Sequence, residues 1–123
     1  MAKANLTILY VEDPLASVEF YRKLLGKEPL VSFPTFSSFE LQGGFVLGLW
    51  AQDKVAPPPP SKTGSRSELA FMVENEEAVR AHYEKWKDAG LPIAQELTKM
   101  DFGPTFVALD PDGHRLRVCL FDE

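Results

Sequence analysis

The 123-residue sequence is poor in the side chains that build metal and redox centres: it has one cysteine, Cys119, and two histidines, His82 and His114. A lone cysteine excludes an internal disulfide and any thiolate-rich zinc site. No apolar run approaches the roughly 20 residues that a membrane-spanning helix needs, so no membrane partner is expected. Met1-Ala2-Lys3-Ala4-Asn5 has none of the apolar stretch of a secretory signal, and the expected location is the cytoplasm. Cations are also short, 13 Lys and Arg against 18 Asp and Glu, for a net charge of -5 and a pI near 5.0. That balance argues against nucleic acid as a partner. What remains is ordinary for one globular domain, 45% hydrophobic and 25% charged, with one excess: 9 Phe, 3 Tyr, 2 Trp and 10 Pro in so short a chain.

The prolines divide the chain. Pro57 to Pro60 are consecutive, inside a stretch that also holds Ser61, Gly64 and Ser65. Such a run favours an extended polyproline path and reads as a linker, or as a lid. The same pattern recurs on each side of it. Leu6 to Val11 reads as a strand, and Asp13 and Pro14 as the cap and first residue of a helix. Leu15, Val18, Tyr21 and Leu25 form the apolar stripe of that helix, which Gly26 closes. In the second half Leu69 to Val73 reads as a strand and Asn75 caps a helix with the stripe Val79, Tyr83 and Trp86, ended by Gly90. Val11, Glu12, Tyr21 and Lys23 match Val73, Glu74, Tyr83 and Lys85 at one constant offset. Gly43-Gly44 and Asp112-Gly113 then divide the apolar runs that follow each helix. The expected organisation is one domain, 1–123, with unit 1 about 5–51, a Pro-rich linker 52–66, and unit 2 about 67–121. Each unit reads strand-helix-strand-strand-strand, an internal repeat.

Tyr10-Val-Glu-Asp-Pro14, Ser17-Val-Glu-Phe-Tyr-Arg-Lys-Leu-Leu-Gly26 and Asp110-Pro-Asp-Gly-His-Arg-Leu-Arg-Val118 carry a resemblance. The chain resembles the vicinal oxygen chelate superfamily of glyoxalase I, extradiol dioxygenases and bleomycin-resistance proteins. The resemblance covers nearly the whole length. It implies an α+β fold in which two βαβββ units form an eight-stranded, U-shaped mixed sheet around a cavity, as a homodimer. Within the superfamily the chain is most similar to the antibiotic-binding resistance proteins of the phenazine type, which share Gly113-His114, Arg117-Val-Cys119, Ser67-Glu68 and an aromatic at Trp50.

Metal-dependent members place one ligand on the first and one on the last strand of each unit. The resemblance puts those positions at Leu6, Gly48, Glu68 and Arg117. Leucine and glycine side chains cannot ligate, and arginine stays protonated. A divalent ion would have one carboxylate and an adjacent cation, where such sites need three or more ligands. No metal, no other cofactor and no catalytic residue is therefore expected. His82 and His114 read as solvated surface side chains.

Strand alternation sorts the remaining residues. One face carries Thr7, Leu9, Val11, Phe45, Leu47, Leu49, Leu69, Phe71, Val73, Leu116, Val118 and Leu120, and belongs under the helices. The other carries Leu6, Ile8, Tyr10, Val46, Gly48, Trp50, Glu68, Ala70, Met72, Arg115, Arg117 and Cys119. That mixture suits an aromatic guest bearing a polar or anionic group. Trp50 and Tyr10 offer stacking surfaces, Gly48 leaves space, Met72 and Phe102 wall the site, and Glu68 pairs with Arg117, which would meet the guest. Phe33, Phe36, Phe39 and Phe106 lie on or near middle strands and are not placed by parity. Trp50 also fits a dimer interface or a core, and the Glu68–Arg117 pair also fits a purely structural ion pair. The expected function is metal-free binding of a small planar aromatic ligand, a drug or antibiotic, giving resistance by sequestration. The alternative is a lyase or isomerase of the glyoxalase or dioxygenase type, metal-dependent or using Glu68 as base. A purely structural role is a third reading.

Overall fold

The structure is a computed structural model that describes residues 5–56 and 67–121. The Pro57–Pro60 run and most of the expected linker lie outside the described residues. The chain divides into two compact units, 1–62 and 63–123. Both have the element order expected from the repeat.

In the first unit, β1 (Leu6–Val11) leads into α1 (Pro14–Leu25), followed by β2 (Val31–Ser32), β3 (Phe36–Glu40) and β4 (Val46–Ala51). Asp13 starts α1 as the sequence suggests: its Oδ1 accepts from the backbone N–H of Leu15 at 3.1 Å and of Ala16 at 3.4 Å. These are two of the donors that a helix N-terminus leaves unpaired. Gly26 ends the helix at φ 67°, where its N–H reaches the Arg22 carbonyl. The buried stripe differs from the expected one. Leu15 is exposed, and Pro14, Ser17, Val18 and Tyr21 face the sheet. The helix enters one residue earlier in phase than its apolar spacing implies, because a proline and a serine small enough to approach the strands take the first turn.

In the second unit, β5 (Glu68–Val73) leads into α2 (Glu76–Asp88), then β6 (Ile93–Met100), β7 (Gly103–Leu109) and β8 (Arg115–Leu120). Asn75 Oδ1 caps α2 through the Ala78 N–H at 2.8 Å. Gly90, at φ 89°, turns the chain out of the helix while its own N–H bonds the Lys87 carbonyl and that of Leu91 bonds Trp86, the paired closure typical of a left-handed cap.

The strand orders are β1-β4-β3-β2 and β5-β8-β7-β6. In each unit the first strand pairs parallel with the last, and the others pair antiparallel. The α+β class and the βαβββ order of each unit, with strands paired in both senses, are therefore as expected. So is the division of faces. Val11, Leu47, Leu49, Leu116 and Val118 are fully buried, and none of the twelve residues assigned to the helix-covered face is exposed. The helices close that face with rings: Tyr21 against Phe39, and Trp86 between Phe71 and Phe106 at 5.3 and 5.5 Å. At the start of the expected linker, Gln52–Lys54 forms a short 3-10 turn and Val55 is buried.

Candidate functional site

The face of each sheet away from its helix carries the candidate residues, and the two units present different chemistry there.

In the first unit the register sets three rows across the sheet. Tyr10 lies beside Trp50, and Trp50 beside Phe36; Ile8 beside Gly48, and Gly48 beside Ser38; Leu6 beside Val46, and Val46 beside Glu40. Tyr10 and Trp50 meet edge to face, with ring centroids 6.4 Å apart and planes at 78°. Tyr10 is 43% exposed, and Leu6 and Ile8 are exposed with it. Burying three such side chains against another surface would contribute several kcal/mol, at about 25 cal/mol per Å². Gly48 does not leave the expected space. A Cβ there would meet the Phe36 ring at 3.0 Å and Ile8 Cγ1 at 3.3 Å. Phe36 reaches over the glycine from the neighbouring strand, so Gly48 lets an aromatic ring approach the backbone closely. Parity along one strand could not find Phe36, whose membership of the Trp50 row needs the β3–β4 register.

In the second unit Arg117 is the centre. It sits in a row with Ala70 on one side and with Val107 and then Gln95 on the other. Ala70 is small, which leaves room for the guanidinium to turn back toward Glu68 two residues earlier. Arg117 Nε donates to Glu68 Oε1 at 2.9 Å and Nη2 to Oε2 at 3.0 Å. Nη1 donates to Gln95 Oε1 and to Thr105 Oγ1, both at 3.1 Å. The buried Thr105 hydroxyl in turn donates to the Val118 carbonyl at 2.7 Å. The Phe102 ring lies over the guanidinium, 5.7 Å from Cζ to centroid, a cation–π distance. The hydrogen bond from Arg117 and its charge, aided by that of Arg115, hold the Glu68 carboxyl below the usual carboxylate range, against the opposing effect of burial. Glu68 holds Arg117 above its ordinary value.

The expected Glu68–Arg117 pair is thus present, with Phe102 against it, and Gln95 and Thr105 are partners that the sequence reading missed. Thr105 was findable, because it lies two residues before Val107 on the same face of β7. Gln95 was not, because β6 shifts register against β7 on both sides of it. Met72 is 50% exposed, beside Cys119. Of the unplaced rings, Phe39 and Phe106 are fully buried and Phe33 is exposed.

The turn before β8 explains the motif that precedes Arg117. Asp110 is buried, and its Oδ1 accepts from the N–H groups of Asp112 and His114 at 2.9 and 2.8 Å. That closes the β7–β8 hairpin and fixes the register that aims Arg117. The histidines are less exposed than expected. Both are half-buried, and the His82 Nδ1 lies 2.8 Å from the Ala78 carbonyl with its ring edge-on to Trp86. Among the described residues no group of three or more His, Cys, Asp and Glu could hold a metal ion, and no helix is long and apolar enough to cross a membrane. Leu6, Gly48, Glu68 and Arg117 do not fit a metal: the single carboxylate among them has both oxygens on Arg117.

Residues 3–118 match the family model of the Glyoxalase/Bleomycin resistance protein/Dioxygenase superfamily. The chain is 31% identical over 121 residues to the phenazine antibiotic resistance protein EhpR of Enterobacter agglomerans, covering 96% of this chain and 92% of that protein. Among solved structures, it resembles a protein from Agrobacterium tumefaciens determined by NMR in solution, at 49% identity and a TM-score of 0.88 over 100% of both chains. A glyoxalase-related enzyme from Fulvimarina pelagi is 27% identical, with a TM-score of 0.78 over 96% of this chain and 87% of that one.

Proposed function

The chain belongs to the Glyoxalase/Bleomycin resistance protein/Dioxygenase superfamily, and we propose that within it this protein is a binding member. It takes up a small planar aromatic molecule, an antibiotic or similar metabolite, without a metal and without converting it, and removes it by sequestration. It works as a homodimer in the cytoplasm. The likeness to a phenazine antibiotic resistance protein supports this class of guest.

The observation that carries the reading is the engagement of Glu68. An enzyme of this family built on these residues would need Glu68 as metal ligand or as base. Both its oxygens are bonded to Arg117, and its pKa lies below the ordinary value. A general base works best with a pKa near the working pH, and Glu68 is displaced the other way. The row of Tyr10, exposed, with Trp50 and Phe36, both half-buried, supports a binding role instead. A three-ring guest that buries about 250 Å² of apolar surface gains about 6 kcal/mol, and one or two well-placed ring contacts add about 1 kcal/mol each. Against an association cost of about 4 kcal/mol or more, the roughly 8 kcal/mol net of a micromolar complex needs further ring or polar contacts beside these.

Tryptophan fluorescence tests the proposal, because the two tryptophans differ. Trp86 is on the buried side of α2, and Trp50 is half-buried on the open face. Phenazine is expected to quench the wild type and Trp86→Phe alike, with micromolar affinity, and to bind Trp50→Ala at least tenfold more weakly. Absence of quenching in the wild type, or unchanged affinity in Trp50→Ala, would overturn the reading. So would stoichiometric zinc, nickel or iron in protein purified without chelator.

A further inference from the structure

We infer that Glu68 is a specificity-determining residue that turns the open face of the second unit away from carboxylated guests by occupying the fork of Arg117. This rests on the binding reading above and states which aromatic guests are taken.

Arginine recognises a carboxylate through two parallel N–H groups on one edge of its fork. A guanidinium has five N–H groups. The Nε–Nη2 edge of Arg117 is closed by Glu68 at 2.9 and 3.0 Å, and Nη1 is committed to Gln95 and Thr105. Among the described residues this leaves a single N–H, on Nη2, which cannot form a bidentate pair. The fork cannot swing free either, because Thr105 is buried and tied to the Val118 carbonyl. A guest carboxylate that displaced Glu68 would stand beside the carboxylate it had displaced, and like charges at that range repel.

One face of the guanidinium is taken by a ring rather than by a hydrogen-bond acceptor. Phe102 packs on it from the turn before β7 and is itself 53% exposed, so a flat guest extends a stack that the protein has begun. The other cation on this face is Arg115, exposed at the start of β8 and directly across from Glu68. Any preference for anions that comes from Arg115 must be separated from the behaviour of Arg117.

Two probes of one ring system make the test: phenazine and phenazine-1-carboxylate, titrated at pH 7.5 into the wild type, Arg115→Gln, Glu68→Gln and Gln95→Leu, with far-UV circular dichroism to confirm folding. In the wild type and Arg115→Gln the two probes are expected to bind within about threefold of each other. In Glu68→Gln the neutral amide, which can hold Arg117 through one oxygen only, yields the fork to a guest carboxylate, and the carboxylate probe should be favoured by about tenfold or more, as a charge-assisted pair would be. Should Glu68→Gln fail to fold, Gln95→Leu carries the comparison. It frees one Nη1 N–H and is expected to shift the ratio about threefold in the same direction. A tenfold preference of the wild type for the carboxylate that persists in Arg115→Gln overturns this inference and leaves the binding reading intact. An unchanged ratio in Glu68→Gln does the same. If neither probe binds the wild type, the binding reading falls and this inference falls with it.

Discussion

Removing the carboxylate from Glu68 should destabilise the fold, and by an amount that depends on pH. Exposed ion pairs contribute about 0.2–1 kcal/mol, whereas breaking a buried pair costs about 3–5 kcal/mol because one charge is left stranded. The Glu68 and Arg117 side chains are 31% and 17% exposed, between those limits. Two features moderate the loss in Glu68→Gln. The amide keeps one oxygen that can accept from Arg117, and Gln95 and Thr105 stay on Nη1. About 1–2 kcal/mol at pH 7 is therefore expected. The pH dependence follows from the lowered pKa of Glu68. A carboxylate whose pKa is depressed by folding contributes its full stabilisation above its unfolded pKa, near 4.5, and loses it as the pH falls through the lower folded value. Urea unfolding of the wild type and Glu68→Gln, followed by circular dichroism at pH 7 and again near pH 3, measures both parts. The gap between the two proteins should narrow in acid. A gap below about 0.3 kcal/mol at pH 7, or one of the same size at both pH values, would refute the reasoning, since it would mean that the ion pair is not what Glu68 supplies.

Two further substitutions probe the first unit and the second core. Gly48→Ala normally gains a little backbone entropy in a strand, but here the new methyl would press on the Phe36 ring; a net loss of about 1 kcal/mol in urea unfolding is expected, recovered in part by Phe36→Leu in a double-mutant cycle. Trp86→Ala should cost about 3–5 kcal/mol, as a cavity opens between Phe71 and Phe106, and calorimetry that finds less than about 2 kcal/mol would mean that the aromatic cluster under α2 collapses around the gap.

The architecture was legible because it depends on short-range rules. Asp13, Asn75 and Gly26 mark helix ends through bonds to backbone groups within four residues, and strict alternation in β1, β4, β5 and β8 separates a buried from an open face. The repeat then supplied the order of elements. Leu15 misled because apolar spacing sets the periodicity of a helix, but the nearest strands decide which part of its circumference is covered. Phe36 and Gln95 were hidden for another reason. Each reaches its neighbour across a strand boundary, and cross-strand register, with the shifts in β6, cannot be read from either strand alone. The ion pair at Glu68 and Arg117 was visible from the family positions, but its saturation was not, because that depends on Gln95 and Thr105 arriving together.

The alternation of faces also bears on how such a chain can change over time. Residues that point under the helices set whether the sheet forms, and those between them set the chemistry of the other side. Substitutions on the open side can change its chemistry while the packing under the helices stays intact, except where, as at Gly48 and Glu68, a position also holds its neighbours in place. The two units already illustrate the outcome: one skeleton written twice, with rings at Tyr10, Trp50 and Phe36 in one copy and a bonded guanidinium in the other. A combinatorial library confined to the exposed open-face positions, with Gly48, Glu68 and Arg117 kept, would vary that chemistry at little risk to the scaffold.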